Sequence, residues 1–183
     1  MLSRALGRAV HTLLEELARL RARLDWEAAR SALRAFEPRI AAQARAAGVD
    51  RPQAARIAAE ALQMALRASH DPTGSWILRP HADAASEAAW AGIVGGGIHS
   101  VRVDRVFRAG PTPGSEEGDC WWIIDYKSAH TGNSEQTLPE LRELYAPQLE
   151  AYAGLLRNLH GGEARVFAGL YYPRLPLLDW WEM

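Results

Sequence analysis

The spacing of hydrophobic residues divides the chain into an amino-terminal helical part and a later part that contains strands. In residues 2–24, apolar side chains recur every three or four positions, which predicts one amphipathic helix. This stripe consists of Leu2, Leu6, Val10, Leu13, Leu17, Leu20 and Leu24. The stretches 25–47 and 50–68 are rich in alanine and arginine and predict two more helices. The stretch 69–83, which contains proline and glycine, predicts a loop.

Beyond this loop, short runs of β-branched and aromatic residues predict strands. Residues 86–94 and 98–108 should form the first two strands, joined by a turn at Gly95–Gly97. The third strand is predicted at Trp121–Lys127, and a fourth at 165–172. The first three strands most simply form an antiparallel meander, so the pattern favours an α+β fold with a mixed sheet.

Helical structure is predicted again between the third and fourth strands. After the polar stretch 128–138, Pro139–Leu144 predicts a short helical turn. Pro147 is well placed as the first residue of a crossover helix that ends at His160, before two glycines. The apolar ending 177–183, with two tryptophans, should either cover the sheet edge or meet another molecule.

The third strand carries the first candidate chemistry. Side chains two apart in a strand share a face, so Asp125 and Lys127 should project together and Tyr126 away from them. Burying an acid and an amine at the end of a strand costs free energy unless both groups are bound by a ligand. A divalent cation with a phosphate is such a ligand, because the carboxylate binds the cation and the ammonium group binds the phosphate. Lys127 is also the only lysine among 21 basic residues. Chance alone could place a single lysine at this position. Lysine nevertheless differs from arginine, because it is a compact point charge whose pKa can shift.

Other elements offer further candidates. His11 lies beside the apolar stripe of the first helix, although a lone helical histidine is more often structural than a ligand. Asp104 lies in the second strand, and Gln148 and Tyr152 share one face of the crossover helix because they are four residues apart. Two carboxylates and an imidazole form an oxygen-rich set with one nitrogen, which suits Mg²⁺ or Mn²⁺ rather than structural zinc.

Composition narrows the classes of protein and site. The net charge of −1 excludes a chain that is basic overall, yet eleven of the twenty arginines lie between Arg4 and Arg56. They could flank a DNA path or form a solvated face.

The single cysteine, Cys120, excludes an internal disulfide, an all-cysteine zinc site and an iron–sulfur cluster, and it fits a reducing, cytoplasmic location. We expect no membrane span, because no apolar run approaches about 20 residues, and the charged amino terminus does not fit a signal peptide.

Four short motifs occur in an order that resembles a known family. They are Gly-x-x-x-His at Gly7–His11, Val-Asp-Arg at Val103–Arg105, Asp-Tyr-Lys-Ser at Asp125–Ser128 and Gln-Leu-x-x-Tyr at Gln148–Tyr152. The set resembles the RecB-type nucleases of the PD-(D/E)xK superfamily, and more narrowly the C-terminal nuclease domain of UvrD/Rep-like helicase–nucleases of the RecB and AddA type. Each motif alone is weak, whereas four in this order are specific.

The resemblance implies a fold and a domain organisation. It implies a restriction-endonuclease-like core in which a helix, a three-stranded meander, a crossover helix and a fourth strand follow one another. Residues 1–183 would then form a single nuclease domain, with a helical part at 1–68 and a sheet-containing catalytic core at 84–183. Two features depart from the family pattern: Ser128 replaces the usual threonine, and the connection between the second and third strands is long and acidic.

The resemblance also implies roles for the motif residues. His11, Asp104, Asp125 and the backbone carbonyl of Tyr126 would hold Mg²⁺ or Mn²⁺. Lys127 would position the attacking water and stabilise developing charge, while Gln148 and Tyr152 would orient Lys127 and the DNA backbone. Weaker candidates for the site are Glu87, Ser128, Gly7 and Arg105.

The activity implied is that of a Mg²⁺-dependent exodeoxyribonuclease. Its substrate would be DNA with single-stranded or unwound ends, in end processing, recombination and repair. Helicase motor domains or a partner subunit would act with it. Because the sequence has no Gly-x-x-x-x-Gly-Lys-Ser/Thr segment, it does not supply the motor itself, and the chain would be either an excised domain or a stand-alone nuclease. Two other interpretations stay open at this point. The chain could be a non-catalytic nuclease-like module that guides DNA or docks a subunit, or an α+β domain whose charged strand ends merely pair.

Overall fold

The computed structural model describes residues 2–94, 97–128 and 137–183. Within these ranges the helices are α1 Leu2–Arg21, α2 Trp26–Arg34, α3 Glu37–Ala46, α4 Arg51–His70, α5 Pro72–Leu78 and α6 Leu138–His160. The strands are β1 Ala82–Val94, β2 Gly97–Ala109, β3 Cys120–Tyr126, β4 Val166–Tyr172 and β5 Leu177–Glu182. The α+β fold with a mixed sheet and amino-terminal helices is therefore confirmed.

The chain divides into two units. The first unit comes from Met1–Pro80, Tyr126–Gly132 and Tyr172–Leu177, and the second from His81–Asp125, Asn133–Tyr171 and Leu178–Met183. The first unit is therefore mainly the helices α1 to α5, and the second mainly the sheet and α6. A single nuclease domain over the whole chain stays a prediction.

In the first unit, the predicted apolar stripe packs α1 onto its neighbours. Val10, Leu13 and Leu17 are fully buried, and α1 contacts both α4 and α2. The stripe does not hold at its ends: Leu2 is 46% exposed, and Leu24 lies beyond the end of α1 and is 36% exposed. The helix is thus shorter than the predicted 2–24, because only its central turns have apolar surface to pack against.

One helix prediction and one loop prediction for this part of the chain are wrong. The stretch 25–47 forms two helices rather than one, because Pro38 has no amide hydrogen to donate to the carbonyl of Arg34, so it lies in the first turn of a new helix. The predicted loop 69–83 contains α5. Asp71 caps this helix by accepting a hydrogen bond from the Gly74 amide at 2.7 Å, and Pro72 is its first residue. The pair Asp71–Pro72 is a signal for the start of a helix as well as for a loop, and in the structure it starts a helix.

In the second unit, the strands follow one another across a single sheet in the order β1-β2-β3-β4-β5. The pairs β1–β2 and β2–β3 are antiparallel, which confirms the meander, and β4 lies beside β3 after α6. The indole ring of Trp122 on β3 stacks on Phe167 at 4.9 Å and contacts Trp180 at 5.4 Å between ring centroids. The apolar ending is therefore the edge strand β5, and its Trp180 joins the aromatic core.

The strand boundaries differ from prediction by a few residues. The first strand begins at Ala82 rather than residue 86, and Gly97 belongs to β2 rather than to the turn. The predicted turn residues 95 and 96 and residues 129–136 of the predicted polar stretch lie outside the described residues.

The helix α6 is continuous from Leu138 to His160, so the prediction of a separate helix starting at Pro147 is wrong. A capping box between Thr137 and Glu140 starts the helix before the proline. Pro147 is exposed, and the buried residues Leu141 and Leu149 anchor the helix on both sides of it. Burial of this apolar face therefore outweighs the single helical hydrogen bond that the proline removes.

A capping substitution tests the local energetics of the first unit. The Asp50 carboxylate accepts a hydrogen bond from the Gln53 amide at 2.9 Å at the start of α4. We expect Asp50→Ala to lower the free energy of unfolding by about 1 kcal/mol, because an amide of the first turn loses its partner. Asp50→Asn should lie within a few tenths of a kcal/mol of the parent, since it keeps the acceptor. Urea denaturation followed by circular dichroism measures both, and an equal loss in the two variants would contradict the cap.

Candidate active site

Two acidic side chains face each other across the β1–β2 ladder. Ser86 pairs with Arg105 and Ala88 with Val103, which places Glu87 opposite Asp104. Carboxylate oxygens of these two residues lie within 4.8 Å of one another. Like charges directly opposite each other destabilise a sheet, and a divalent cation bound between them would relieve this repulsion.

The backbone of Glu87 is itself unusual. Its φ of +52° lies in the left-handed region that L-residues rarely adopt, between the paired positions Ser86 and Ala88. Such strain costs on the order of 1–3 kcal/mol and clusters at functional sites. Arg102, on the neighbouring strand, donates to the Glu87 carboxylate at 3.1 Å. The Arg102 side chain is 68% exposed, so solvent screens its attraction to the Glu87 carboxylate. Arg102 therefore offsets the repulsion between Glu87 and Asp104 only weakly.

The third carboxylate, Asp125, lies near the end of β3 and is 7% exposed. The Gln148 side-chain amide donates a hydrogen bond to Asp125 Oδ1 at 3.4 Å and a second one to the Tyr152 hydroxyl. Because Gln148 and Tyr152 are one helical turn apart on α6, a single helix face holds both groups. Sequence reasoning placed the two residues together correctly, but it did not identify Asp125 as the partner of Gln148.

Charge and burial keep the Tyr152 phenol protonated. Burial raises the pKa of Tyr152 above its usual value, and the hydrogen bond from Gln148 opposes this shift. The negative charges of Asp125 and Asp104 raise the pKa further, because they disfavour a phenolate nearby. Tyr152 is therefore a neutral hydroxyl group beside two carboxylates.

A histidine and a backbone carbonyl form a second cluster, in the first unit. His11 Nε2 lies 2.9 Å from the carbonyl oxygen of Tyr126, and the two rings meet edge to face at 5.7 Å between centroids. A carbonyl only accepts, so Nε2 carries the hydrogen in the tautomer that makes this bond, whereas binding a cation through Nε2 requires the other tautomer, with the hydrogen on Nδ1. Two ligands at neighbouring corners of an octahedron with bonds of about 2.1 Å are about 3 Å apart. The separation of 2.9 Å thus also fits two donors to one cation.

The remaining candidates also have defined surroundings. A Cβ added at Gly7 on α1 would lie 3.2 Å from the Ser128 hydroxyl oxygen, so the serine of the third motif is the group that approaches this glycine closely. Ser128 is buried and Lys127 half-buried, directly after β3. Arg105 is 5% exposed and donates to the Ser86 hydroxyl at 3.1 Å, so it stiffens the strand pair next to Asp104.

Within each unit, the structure brings several predicted residues together. In the first unit these are the pairs His11–Tyr126 and Gly7–Ser128. In the second they are Glu87 with Asp104, and Asp125 with Gln148 and Tyr152. Glu87 was a weaker candidate from the sequence. The predicted turn at Gly95–Gly97 would place Glu87 opposite Arg105, whereas the observed pairing of Val94 with Gly97 places it opposite Asp104, so the structure is needed to identify this neighbour.

The donor chemistry fits a hard divalent cation. The second unit supplies three carboxylates, and the first a backbone carbonyl with one imidazole nitrogen. Oxygen donors with little nitrogen and no thiolate suit Mg²⁺ and Mn²⁺. The described part of the chain includes the single cysteine, Cys120, which is buried in the second unit.

Comparison with known proteins gives the family. None of the curated proteins compared with the chain matches it. Among the described residues, no helix combines the length and the apolar character that crossing a bilayer requires. The model of the PD-(D/E)XK nuclease superfamily matches residues 1–178, and thus nearly the whole chain. The nucleases of that superfamily use divalent metals and act on DNA. The chain therefore belongs to the PD-(D/E)XK nuclease superfamily.

Proposed function

We propose that the protein is a Mg²⁺-dependent deoxyribonuclease that hydrolyses phosphodiester bonds from DNA ends. The observation that carries this proposal is the carboxylate pair of Glu87 and Asp104, held within 4.8 Å by the register of two strands and a strained backbone. Two carboxylates at this spacing are suited to hold a divalent cation between them. The superfamily match supplies the reaction class, which is metal-dependent hydrolysis of nucleic acid.

The proposed roles follow the four motifs. Asp104, Asp125, His11 and the Tyr126 carbonyl would be the ligands of the cation, and Glu87 would add charge beside Asp104. The bound cation would supply a Lewis acid at the phosphate oxygen. Gln148 fixes the orientation of the Asp125 carboxylate through its side-chain amide.

Two further groups would act at the phosphate. The ammonium group of Lys127 would position the attacking water and stabilise the negative charge that develops in the transition state. Tyr152 stays protonated, so its hydroxyl can donate a hydrogen bond to the DNA backbone.

The wider setting is part of the same proposal. The four motifs support a RecB-type nuclease that works behind helicase motor domains or with a partner subunit, in DNA end processing, recombination and repair. A buried free cysteine supports a reducing, cytoplasmic location. The non-catalytic module is the competing proposal, and metal binding separates the two.

Substitution of the reactive groups tests catalysis. We expect Lys127→Ala and Asp125→Ala each to lower kcat on linear single-stranded DNA by about 100-fold or more, since each removes a charge from the reacting centre. Arg34→Ala is the matched control, because Arg34 is an exposed cation on α2, and it should stay within twofold of the parent. Circular dichroism shows whether each variant folds. Full activity in folded Lys127→Ala protein would end this mechanism.

Calorimetric titration with Mn²⁺ tests the cation. The parent should bind Mn²⁺, and Asp104→Ala should weaken binding by about 10-fold or more, because it removes a carboxylate from the charged pair. Glu150→Ala removes an exposed carboxylate elsewhere on α6 and should leave the titration unchanged. If neither Mn²⁺ nor Mg²⁺ binds the parent, the non-catalytic module becomes the better account.

The pH dependence of Tyr152→Phe tests the protonation state of the phenol. Since the pKa of Tyr152 is raised, the hydroxyl keeps its proton at neutral and mildly alkaline pH. Tyr152→Phe should therefore lower kcat by a constant factor, of about 10-fold, at every pH below about 9. A profile in which the parent alone loses activity between about pH 7 and 9 would show that the phenol titrates there, contrary to this account.

A further inference from the structure

The two units differ strongly in charge, although the chain as a whole is nearly neutral. The segments of the first unit carry 15 basic and eight acidic residues, a net charge of +7, and those of the second carry six basic and 14 acidic residues, a net charge of −8. A polyanion is attracted to the first unit and repelled by the second, except where a cation is bound. The path of the nucleic acid should therefore be sought on the first unit.

A cavity of about 340 Å³ in the first unit has the composition that such a path needs. Its walls come from the start of α1, the first half of α4, Ser128 and Arg174. Leu2, Leu6 and Ile57 supply an apolar side. The charged lining consists of two cations, Arg56 and Arg174, and one carboxylate, Glu60. We name it the strand pocket.

The two arginines of the strand pocket differ in how far they are neutralised. Arg174 pairs with Glu60, and its carbonyl accepts a hydrogen bond from Arg67 at 2.8 Å. Arg56 is exposed, and the structure gives its side chain no carboxylate or hydrogen-bond partner among the described residues. Arg56 is therefore the cation available to an incoming anion, while Arg174 is held in place by the protein.

The position of the strand pocket connects it to the proposed chemistry. Ser128, which lines the pocket, directly follows Lys127 in the sequence and lies against Gly7 on α1. A recess of this volume is in the range of small-ligand pockets and takes a nucleotide-sized group, whereas base-paired duplex is too large to enter it. An unpaired strand offers both of the required surfaces, a phosphate and an exposed base or sugar face.

We propose that the strand pocket binds a single-stranded DNA segment next to the reacting phosphodiester. Arg56 contacts a backbone phosphate, and Leu2 and Leu6 contact the neighbouring base or sugar. Arg56 is thus a positioning residue outside the four motifs. The inference rests on the proposed function for its ligand, DNA, but strand binding needs no catalysis and is tested separately from it.

Fluorescence anisotropy of a labelled oligothymidylate in EDTA, over a range of salt concentrations, tests the strand pocket without cleavage. We expect Arg56→Gln to weaken binding by about threefold to tenfold at low salt, and to reduce the slope of log affinity against log salt by about 0.7, the contribution of one phosphate contact on a single strand. Arg34→Gln removes an exposed cation of the same unit that does not line the pocket. It should change the slope by much less.

A neutral substitution provides the second arm. Leu2 is 46% exposed, so Leu2→Ser should not disturb the core. It should weaken binding of the oligothymidylate without changing the salt slope, and should leave the weaker binding of a duplex of the same length unchanged. In cleavage assays with Mg²⁺, Arg56→Gln should raise KM and keep kcat within about twofold.

The outcomes separate the pocket from the activity. Equal effects of Arg56→Gln and Arg34→Gln would mean that only the general charge of the unit matters, and the strand pocket would be wrong. Unchanged binding in both Arg56→Gln and Leu2→Ser protein would reject it as well. Either result leaves the nuclease proposal standing if Lys127→Ala is inactive. If Arg56→Gln loses strand binding but the parent protein does not cleave DNA, the proposal of a strand-binding pocket stands and the nuclease proposal is rejected.

Discussion

The repulsion between Glu87 and Asp104 is the constraint on which this account depends. Two strands with ten paired positions bring the carboxylates within 4.8 Å, and the backbone of Glu87 is held in a strained conformation at the same point. An exposed arginine compensates only weakly. A divalent cation bound between the two carboxylates would offset this repulsion directly.

The surroundings of Asp125 follow the same logic. The buried core of β3, with Trp122 between Phe167 and Trp180, fixes the strand that carries this carboxylate. On α6, Gln148 holds its orientation, and the neutral Tyr152 adds a hydroxyl without adding charge. Asp125, Gln148 and Tyr152 are therefore each positioned by an element whose apolar face is buried, which is how a rigid site is built.

The sequence was most informative where one physical rule acted alone. Period-two and period-three-to-four patterns located the strands and most helices, and four motifs located the candidate ligands. It was least informative where two rules competed. Pro147 interrupts the hydrogen bonding of α6, but burial of the flanking leucines keeps the helix whole, and only the packed structure shows which effect is larger. Likewise, the partner of Glu87 depends on the strand register, and the contact between Ser128 and Gly7 depends on packing between distant segments.

Crystals soaked with Mn²⁺ test the central claim most directly, because anomalous scattering locates the ion without reference to activity. The account predicts one ordered Mn²⁺ ion with carboxylate oxygens of Asp104 and Asp125 at about 2.0–2.3 Å, and the loss of this ion in Asp104→Ala crystals. An anomalous map of well-ordered parent crystals with no ion at these carboxylates, at Mn²⁺ concentrations that saturate other nucleases of this type, would contradict it.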